Sequence, residues 1–265
     1  MSVLKRNNVS VQGSGTSPMM FAHGFGCDQN MWRLVAPSFE ETHKVILFDH
    51  VGAGRSDLNA YDTEKYKELD GYAIDILEII GTLDLKDVVF IGHSVSAIMG
   101  ILAATKSPEL FKALILVAPS PSYINDDDYI GGFSSIEIDE LLTSLDMNHM
   151  GWSMTMAPLI MANPDRAELS EELADSFCRT DPAIARQFAR ATFLTDSRSN
   201  LETCPTQSLI LQCSNDIIAP IEVGQFMHKK MIDSQLVILE ADGHCPHLSA
   251  PIATTAAIKD FLEFL

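Results

Sequence analysis

The order of apolar and polar positions along the chain predicts an α/β fold. Short apolar runs bounded by polar turns occupy residues 18–22, 44–49, 88–93, 113–118, 208–213 and 235–239. Runs of this length, rich in β-branched residues, are typical of strands buried on both faces of a parallel sheet. Segments of helical periodicity lie between them, as at residues 71–83, and residues 258–265 predict a terminal helix. We therefore expect a mostly parallel sheet with helices on both faces.

The rhythm changes between residues 123 and 194, where helical patterns follow one another without a convincing strand. Ser134 followed by Glu137 has the pattern of a capping box at a helix start. A helical stretch of this size inside an α/β pattern predicts an insertion that covers one edge of the sheet. The predicted organisation is an α/β core of residues 1–122 and 195–265 with a helical cap of residues 123–194.

The first candidate for chemistry lies where the apolar strand at residues 88–93 meets a helix-prone segment. Gly92, Ser94 and Ser96 form a small-x-Ser-x-small turn at this junction. Such a turn lets strand and helix pack closely and leaves the serine side chain above the sheet, as in a nucleophile elbow. The alternative is that Ser94 only caps the following helix. The partners described next favour Ser94 as a nucleophile.

A serine nucleophile needs a base, and the base needs an orienting acid. Asp216 and His244 follow the last two predicted strands, and strand ends are where such groups gather in open α/β sheets. The chain order Ser, Asp, His is that of an α/β-hydrolase triad. Asp242 is a rival acid, but it lies too near His244 in sequence to reach the far ring nitrogen. His247 is a rival base, and we prefer His244 because Gly243 suits a tight turn before it.

Acyl transfer also needs hydrogen-bond donors for the developing oxyanion. The residue after the nucleophile, Val95, supplies one backbone N–H, and the loop at residues 23–26 supplies the other, which we assign to Phe25. The two histidines of the segment 244–247 could instead bind a metal, but no further cluster of ligands accompanies them. We therefore predict no metal and no cofactor.

Composition limits the partners and the location. The formal net charge of −18 argues against nucleic acid and anionic membranes, since both require basic surface. No apolar run approaches the roughly 18 residues of a membrane span, and no apolar region follows the N-terminus. The five cysteines are scattered and odd in number, which favours reduced thiols. These features predict a cytoplasmic protein.

The ordered motifs resemble those of the α/β-hydrolase superfamily. They are H-G-F-G at residues 23–26, D-x-x-G-x-G-x-S-D at 49–57, G-H-S-x-S at 92–96 and D-G-H at 242–244. More closely, the chain resembles the RsbQ type, the bacterial relatives of plant karrikin and strigolactone receptors. That likeness is carried by residues 25–29, 69–73, 92–97, 119–121, 181–189, 211–213 and 243–247.

The resemblance implies that Ser94, Asp216 and His244 are the triad and that Phe25 and Val95 form the oxyanion hole. It also implies a four-helix lid over a closed apolar pocket. RsbQ proteins are positive regulators of the general stress response and work with a PAS-domain serine phosphatase, which is therefore the expected partner. Ser96 departs from the glycine of RsbQ and matches the plant receptors.

The predicted pocket is apolar and lies under the cap. Methionines crowd residues 147–161, and Met suits an adaptable pocket. The expected pocket residues are Phe133, Trp152, Met154 and Phe193. The expected function is hydrolysis of a small apolar ester or lactone in an RsbQ-like signalling role. Two alternatives remain, a stand-alone metabolic esterase or lactonase and a ligand-binding receptor with little turnover. In the signalling interpretation, the acidic cap residues Glu168, Glu171 and Glu172 face the partner.

Overall fold

The computed structural model describes residues 2–265 and contains one seven-stranded sheet. The strands are β1 Ser10–Gln12, β2 Ser17–Ala22, β3 His43–Phe48, β4 Val88–His93, β5 Phe111–Val117, β6 Ser208–Asn215 and β7 Ser234–Asp242. Their order is β1-β3-β2-β4-β5-β6-β7, with β1 antiparallel to β3 and every other pair parallel. The predicted α/β-hydrolase fold, a mostly parallel sheet covered by helices, is confirmed.

Helices outside the cap cover both faces of the sheet. They are α1 Val3–Arg6, α2 Leu69–Thr82, α3 Val95–Lys106, α8 Ile221–Lys230, α9 Pro246–Ser249 and α10 Pro251–Leu262. Helices α2, α3 and α8 pack on one face, and α10 packs on the other face with a short 3-10 helix, Ala36–Phe39. The other 3-10 helices are Gln29–Trp32, Leu58–Ala60, Lys65–Lys67, Pro108–Leu110 and Arg198–Thr203.

Two helices differ from the sequence prediction. The terminal helix α10 begins at Pro251, earlier than the predicted residue 258, because proline is well suited to the first helical position. It ends at Leu262, before the predicted residue 265. Helix α8 was not predicted. Only two of its apolar side chains, Val223 and Met227, are fully buried, and its last turn is basic.

The cap consists of four helices inserted between β5 and β6. They are α4 Ser135–Met147, α5 His149–Met161, α6 Ala167–Arg179 and α7 Pro182–Phe193. The predicted capping box is present, with the Ser134 side chain accepting from the Glu137 backbone N–H and the Glu137 carboxylate accepting from that of Ser134. An antiparallel bridge between Ser122 and Asp196 joins the two ends of the insertion.

The sheet order places a crevice between β2 and β4. From β2 the chain first adds β3 on one side and then returns to add β4 on the other side. Ala22, the last residue of β2, lies beside Gly92 near the end of β4. Ligands of open α/β sheets bind at such a switch point, beyond the carboxyl ends of the strands. The loops at residues 23–27 and 93–95 therefore meet there, beneath the cap.

No helix within residues 2–265 has both the length and the apolar character that crossing a membrane demands.

Candidate active site

Ser94 occupies a strained turn between β4 and α3. Its φ of 56° and ψ of −124° are unusual for a residue with a side chain, and its N–H donates to the Val117 carbonyl at 2.8 Å. A Cβ at Gly92 would lie 2.5 Å from the Ser96 carbonyl oxygen, so only glycine fits at position 92, two residues before Ser94. This geometry places Ser94 at the carboxyl end of β4, with its Oγ directed at the His244 ring.

Ser94, His244 and Asp216 form one chain of hydrogen bonds. The Ser94 Oγ lies 2.7 Å from His244 Nε2, and His244 Nδ1 lies 2.7 Å from Asp216 Oδ2. All three residues are buried, with 5%, 5% and 6% of their surfaces exposed. Since the carboxylate can only accept, a neutral His244 donates from Nδ1 and keeps Nε2 free to accept the Ser94 proton.

The acid in contact with the ring is Asp216 and not Asp242. The second Asp216 oxygen accepts from the backbone N–H groups of Ile218 and Ala219 at 2.8 and 3.2 Å, which fixes the carboxylate. Asp242 is exposed and its side chain accepts from the Asn215 amide at 3.0 Å. The choice of Asp216 over Asp242 therefore agrees with the geometry.

The turn that carries His244 abuts the cap. Gly243 has a φ of 82°, and a Cβ there would lie 2.0 Å from the Met161 carbonyl oxygen. Both the backbone conformation and the lack of space therefore require glycine. The His244 backbone N–H donates to the Ile160 carbonyl at 2.8 Å, and the His93 ring donates from Nε2 to the His244 carbonyl at 2.8 Å. Both the cap and the sheet thus hold the backbone of the base.

His247 lies away from the nucleophile. It is fully buried, its ring packs on Trp32 at 4.6 Å between centroids, and neither ring nitrogen has a hydrogen-bond partner among residues 2–265. Burial, reinforced by the nearby His244, lowers the pKa of His247 to about 3. His247 is therefore a neutral core residue, and the ring that reaches Ser94 is that of His244.

The two predicted oxyanion donors lie beside Ser94. Val95 follows the nucleophile at the start of α3, and Phe25 lines the same cavity as Ser94. Within the described chain, neither backbone N–H donates a hydrogen bond. The loop approaches closely, since a Cβ at Gly24 would lie 3.4 Å from that of Ser94. Two free donors therefore flank the position that a substrate carbonyl would take.

A small apolar cavity of about 30 Å³ opens beside Ser94, enough for about one water molecule. Its lining comprises Phe25, Cys27, His93, Ser94, Tyr123, Trp152, Ile160, Leu173, Phe177, Thr192, Phe193, Ile218, His244 and Cys245. The Phe25 ring fills much of the space, because it contacts Trp152, Phe177, Phe188 and Phe193 at centroid distances of 5.4 to 6.1 Å. This packing leaves little free space beside Ser94.

Two of the four predicted pocket residues line this cavity, and two do not. Trp152 and Phe193 line it, whereas Met154 is 62% exposed on the outer face of α5. The prediction for Met154 is wrong because residues two apart on a helix point in different directions. The prediction for Phe133 is also wrong, because this half-buried side chain packs on the cap's apolar cluster outside the cavity.

Sequence reasoning missed Tyr123. Its hydroxyl lies 3.5 Å from Ser94 Oγ, and burial raises its pKa, so it remains a protonated donor above the nucleophile. Tyr123 follows the carboxyl end of β5, the strand next to β4, as Asp216 follows β6. The same strand-end argument that found Asp216 could have found it.

The other potential nucleophiles near the site, two cysteine thiols, are held in their unreactive protonated form. Burial raises the pKa values of the Cys27 and Cys245 thiols, which keeps both protonated. No three His, Cys, Asp or Glu side chains within the described range come together in a way that could hold a metal ion. The chain itself supplies every group that could act as nucleophile, base, acid or oxyanion donor in the predicted chemistry.

Comparison with known proteins agrees with the fold. The model of the alpha/beta hydrolase family matches residues 19–258. A strigolactone esterase of Pisum sativum, RMS3, is 36% identical and matches 94% of each chain. The karrikin insensitive 2 receptor IA of Petunia hybrida is 35% identical over 93% of this chain and 90% of its own. A hydrolase of Oleispira antarctica is 44% identical and superposes with a TM-score of 0.96, covering 98% of this chain and 96% of its own.

The chain belongs to the alpha/beta hydrolase family, and it is homologous to the karrikin insensitive 2 receptor and the strigolactone esterase of these two plants.

Proposed function

We propose that this protein is a cofactor-free serine hydrolase that cleaves a small apolar ester or lactone. The observation that carries the proposal is the continuous hydrogen-bonded chain from Ser94 through His244 to Asp216, which ends in an apolar cavity. A buried serine needs no bond to a histidine for packing, whereas acyl transfer requires that bond.

In the acylation step, the Ser94 oxygen attacks the substrate carbonyl while His244 Nε2 accepts the hydroxyl proton. The Asp216 carboxylate, bonded to Nδ1, stabilises the imidazolium that forms. The carbonyl oxygen becomes negative and accepts hydrogen bonds from the N–H groups of Phe25 and Val95. His244 then returns the proton to the leaving oxygen, and an acyl-Ser94 ester remains.

In the deacylation step, water replaces the leaving group. His244 removes a proton from the water, whose oxygen attacks the acyl carbonyl, and the same two N–H groups hold the oxyanion. The proton then passes to Ser94, and the carboxylic acid leaves. A lactone follows the same course, with its own hydroxyl as the tethered leaving group.

The cavity sets limits on the substrate. Its walls are mainly aromatic and aliphatic, which favours an uncharged ligand. A volume of about 30 Å³ holds no ester, so the Phe25 ring or the cap must move to admit one. A small ligand requires the least movement of the Phe25 ring or the cap. We therefore propose that the substrate carries a short acyl group or a single lactone ring.

The test of the nucleophile uses p-nitrophenyl acetate and a sulfonyl fluoride. Wild-type protein should hydrolyse the ester and gain one sulfonyl group on Ser94, found by peptide mass spectrometry. Ser94→Ala should lose at least about 1,000-fold in kcat/KM and take up no label while melting at a similar temperature. Wild-type-like turnover by Ser94→Ala would end the assignment.

Metal removal is a second test of the same mechanism. Dialysis against a chelator should leave kcat unchanged, because the proposed nucleophile, base and oxyanion donors all come from the chain. Activity lost on dialysis and restored by zinc would support a metal at His244 and His247 instead.

We also propose that hydrolysis serves signalling in the manner of RsbQ, with a PAS-domain serine phosphatase as the partner. Support comes from the motif resemblance and from relatives that are themselves receptors. All five cysteines are free thiols, which suits the cytoplasmic location that this proposal includes. The partner surface we propose is the exposed acidic face of α6, at Glu168 and Glu171.

Glu172 is removed from that surface. Both of its carboxylate oxygens accept from Arg33 at 2.6 Å, so it joins the cap to the core and does not face a partner. Reversing Glu168 and Glu171 to lysine should weaken pull-down of the phosphatase and leave ester turnover unchanged. Reversal of Asp260 and Glu263, exposed residues in and just after core helix α10, is the matched control. A purified pair that never associates would favour a stand-alone esterase.

A receptor with little turnover is the second candidate, and the small free volume beside Ser94 favours it. A site that must open for each ligand and close again can release product slowly. Pre-steady-state mixing with p-nitrophenyl acetate distinguishes the two. A burst of one equivalent of nitrophenol followed by turnover of a few per hour would indicate a receptor, whereas steady multiple turnover would indicate an esterase.

A further inference from the structure

Ser96 carries a hydroxyl at a position where the elbow requires only a small residue. It is fully buried, and its Oγ donates to the His23 carbonyl at 2.5 Å. The same Oγ accepts from the His50 ring, whose Nε2 lies 2.7 Å away and also 3.1 Å from the His23 carbonyl. The elbow is thereby bonded to the loop that follows β2 and, through His50, to the loop that follows β3.

The hydrogen bonds of His50 also fix the tautomer of His23. The His50 backbone N–H donates to His23 Nε2 at 3.1 Å, so this nitrogen must be an acceptor. The proton of the neutral ring then lies on Nδ1, which donates to the Gly24 carbonyl at 2.9 Å. His23 is fully buried, and its burial lowers its pKa, which keeps the ring in this neutral form.

The Gly24 carbonyl belongs to the same peptide group as the Phe25 N–H. A trans peptide is planar, with its C=O and N–H pointing in opposite directions, so a hydrogen bond to one end orients the other. The Gly24 carbonyl accepts from the His23 ring and from the Cys27 backbone N–H at 3.3 Å. Hydrogen bonds in series also polarise one another, which makes the Phe25 N–H a stronger donor.

We propose that the side chains of Ser96 and His50 are positioning groups that aim the Phe25 N–H at the oxyanion by holding the His23 carbonyl, while the His50 backbone N–H holds the His23 ring. The inference rests on the proposed function and goes beyond it, since neither side chain touches the substrate. The elbow and the oxyanion loop come from different strands, and this relay fixes their relative placement.

Packing alone does not account for the pair. A hydroxyl and an imidazole buried to 0% and 1% exposure each have a desolvation cost that alanine and an apolar ring would avoid. The two groups offset that cost by bonding each other and a carbonyl that is otherwise without a strand partner. Burying two polar groups is reasonable where their orientation sets the geometry of a reaction.

The experiment compares Ser96→Ala, His50→Leu, His50→Gln and the double variant Ser96→Ala/His50→Leu. Kinetics on p-nitrophenyl acetate give kcat and KM, and a trifluoromethyl ketone gives the affinity for a tetrahedral oxyanion. Loss of an oxyanion donor costs about 100-fold or more in kcat, so a misdirected donor should cost about 10-fold to 100-fold. We expect that loss in Ser96→Ala and His50→Leu, with KM within twofold.

Three further results separate aiming from simple loss of stability. The ketone inhibition constant should rise by the factor by which kcat/KM falls. His50→Gln keeps an N–H donor and should recover at least a third of kcat. The double variant should be no more than about twofold worse than the more severe single variant, because the two residues act as one unit. Ser208→Ala, which removes an equally buried hydroxyl bonded to the Thr206 carbonyl, should leave kcat unchanged.

The outcomes also separate this inference from the proposed function. If wild-type protein neither turns over the ester nor takes the sulfonyl label, both proposals fail together. If wild-type protein does both, but His50→Leu and Ser96→Ala keep kcat within twofold, only the positioning role is overturned. If Ser96→Ala does not fold, the difference between His50→Gln and His50→Leu decides, and equal kcat in these two variants overturns the proposal.

Discussion

The sheet and the cap both contribute to the site beside Ser94, but they do so by different means. The sheet contributes polar groups at fixed strand ends: Ser94 after β4, Asp216 after β6 and His244 after β7. The cap contributes apolar side chains such as Trp152 and Phe193 and one backbone carbonyl, that of Ile160. The polar groups of the site thus come from the sheet, and most of its apolar wall comes from the cap.

The cap is nevertheless tied to the chemistry. The turn between α5 and α6 is hydrogen-bonded to the segment that carries His244. Asn163 donates to the Asp242 carbonyl at 3.0 Å, and Arg166 donates to the Ser249 carbonyl at 2.8 Å. With the bond from the His244 N–H to the Ile160 carbonyl, these contacts lie on both sides of the catalytic ring. A ligand that binds more tightly to one cap position than to another would therefore also act on His244.

The largest expected difference is in kcat, between variants of the two aspartates Asp216 and Asp242 that lie at the ends of β6 and β7. Asp216→Asn should lower kcat by about 1,000-fold to 10,000-fold, because an amide at that place favours the wrong tautomer of His244. Asp242→Asn should keep most of the activity, since its side chain accepts only from Asn215. Steady-state kinetics on p-nitrophenyl acetate measures both. An active Asp216→Asn with an inactive Asp242→Asn would reverse the assignment.

The sheet's contribution was predictable from sequence, because the ends of parallel strands meet at one edge. Ser94, Asp216 and His244 each follow an apolar run, and knowledge of the strand order was not needed to bring them together. The glycines at 92 and 243 added local geometry, since a side chain at either place would collide with backbone.

The cap's contribution was less predictable, because the inward face of a short helix depends on what it packs against. In α5, Trp152 points inward and Met154 points to solvent, yet the helix is apolar on nearly every side. The polar relay through His50 was also invisible in sequence. It joins residues 23, 50 and 96, and nothing in their spacing indicates contact.

Within the cap, substitutions on the inner and outer faces of α5 should change kcat/KM by different amounts, but this difference should be smaller than that between the two aspartates. Trp152→Ala should reduce kcat/KM for p-nitrophenyl butyrate by roughly 10-fold to 100-fold and destabilise the fold by about 3 kcal/mol, because it empties a wall of the cavity. Met154→Ala, an exposed truncation two residues away, should leave kcat/KM within twofold and stability within about 0.5 kcal/mol. Equal effects would show that the cap adopts another packing in solution.

The buried ring of His247, which lies in the core outside the cap, predicts a dependence of the free energy of unfolding on pH. The pKa of His247 is about 3 in the folded protein and near 6.5 when unfolded. Between these values the unfolded chain binds the extra proton, so stability is complete above pH 6.5 and falls as pH decreases, by up to about 1.4 kcal/mol per unit. Urea titrations of wild type and His247→Phe between pH 4 and 7 should show a shallower slope in the variant. Unchanged slopes would mean that His247 is hydrated in solution.

The slope should not vanish in His247→Phe. His23, His50 and His93 are also fully buried with lowered pKa values, so each contributes in the same direction. Asp242→Asn is a suitable control, because it changes an exposed group and should leave the slope between pH 5 and 7 as in wild type.

The smallest effect is expected where cap and core meet at the surface. Arg33 and Glu172 form a two-pronged ion pair at 2.6 Å, but the side chains are 42% and 32% exposed, so solvent screens their attraction. Glu172→Gln should therefore destabilise the fold by only about 0.2 to 1 kcal/mol. The pair bridges α6 to the end of the 3-10 helix Gln29–Trp32 in the core, so the same change should raise kcat/KM about twofold by easing cap opening.

Salt provides the internal check on that last prediction. At 1 M NaCl the screening length falls to about 3 Å, so wild type should approach the Glu172→Gln variant in both stability and kcat/KM. Glu202→Gln breaks a similarly exposed pair, with Lys230 at 2.7 Å, that joins two parts of the core. It should match Glu172→Gln in stability and leave kcat/KM unchanged. If both variants change kcat/KM equally, the Arg33 pair has no part in holding the cap closed.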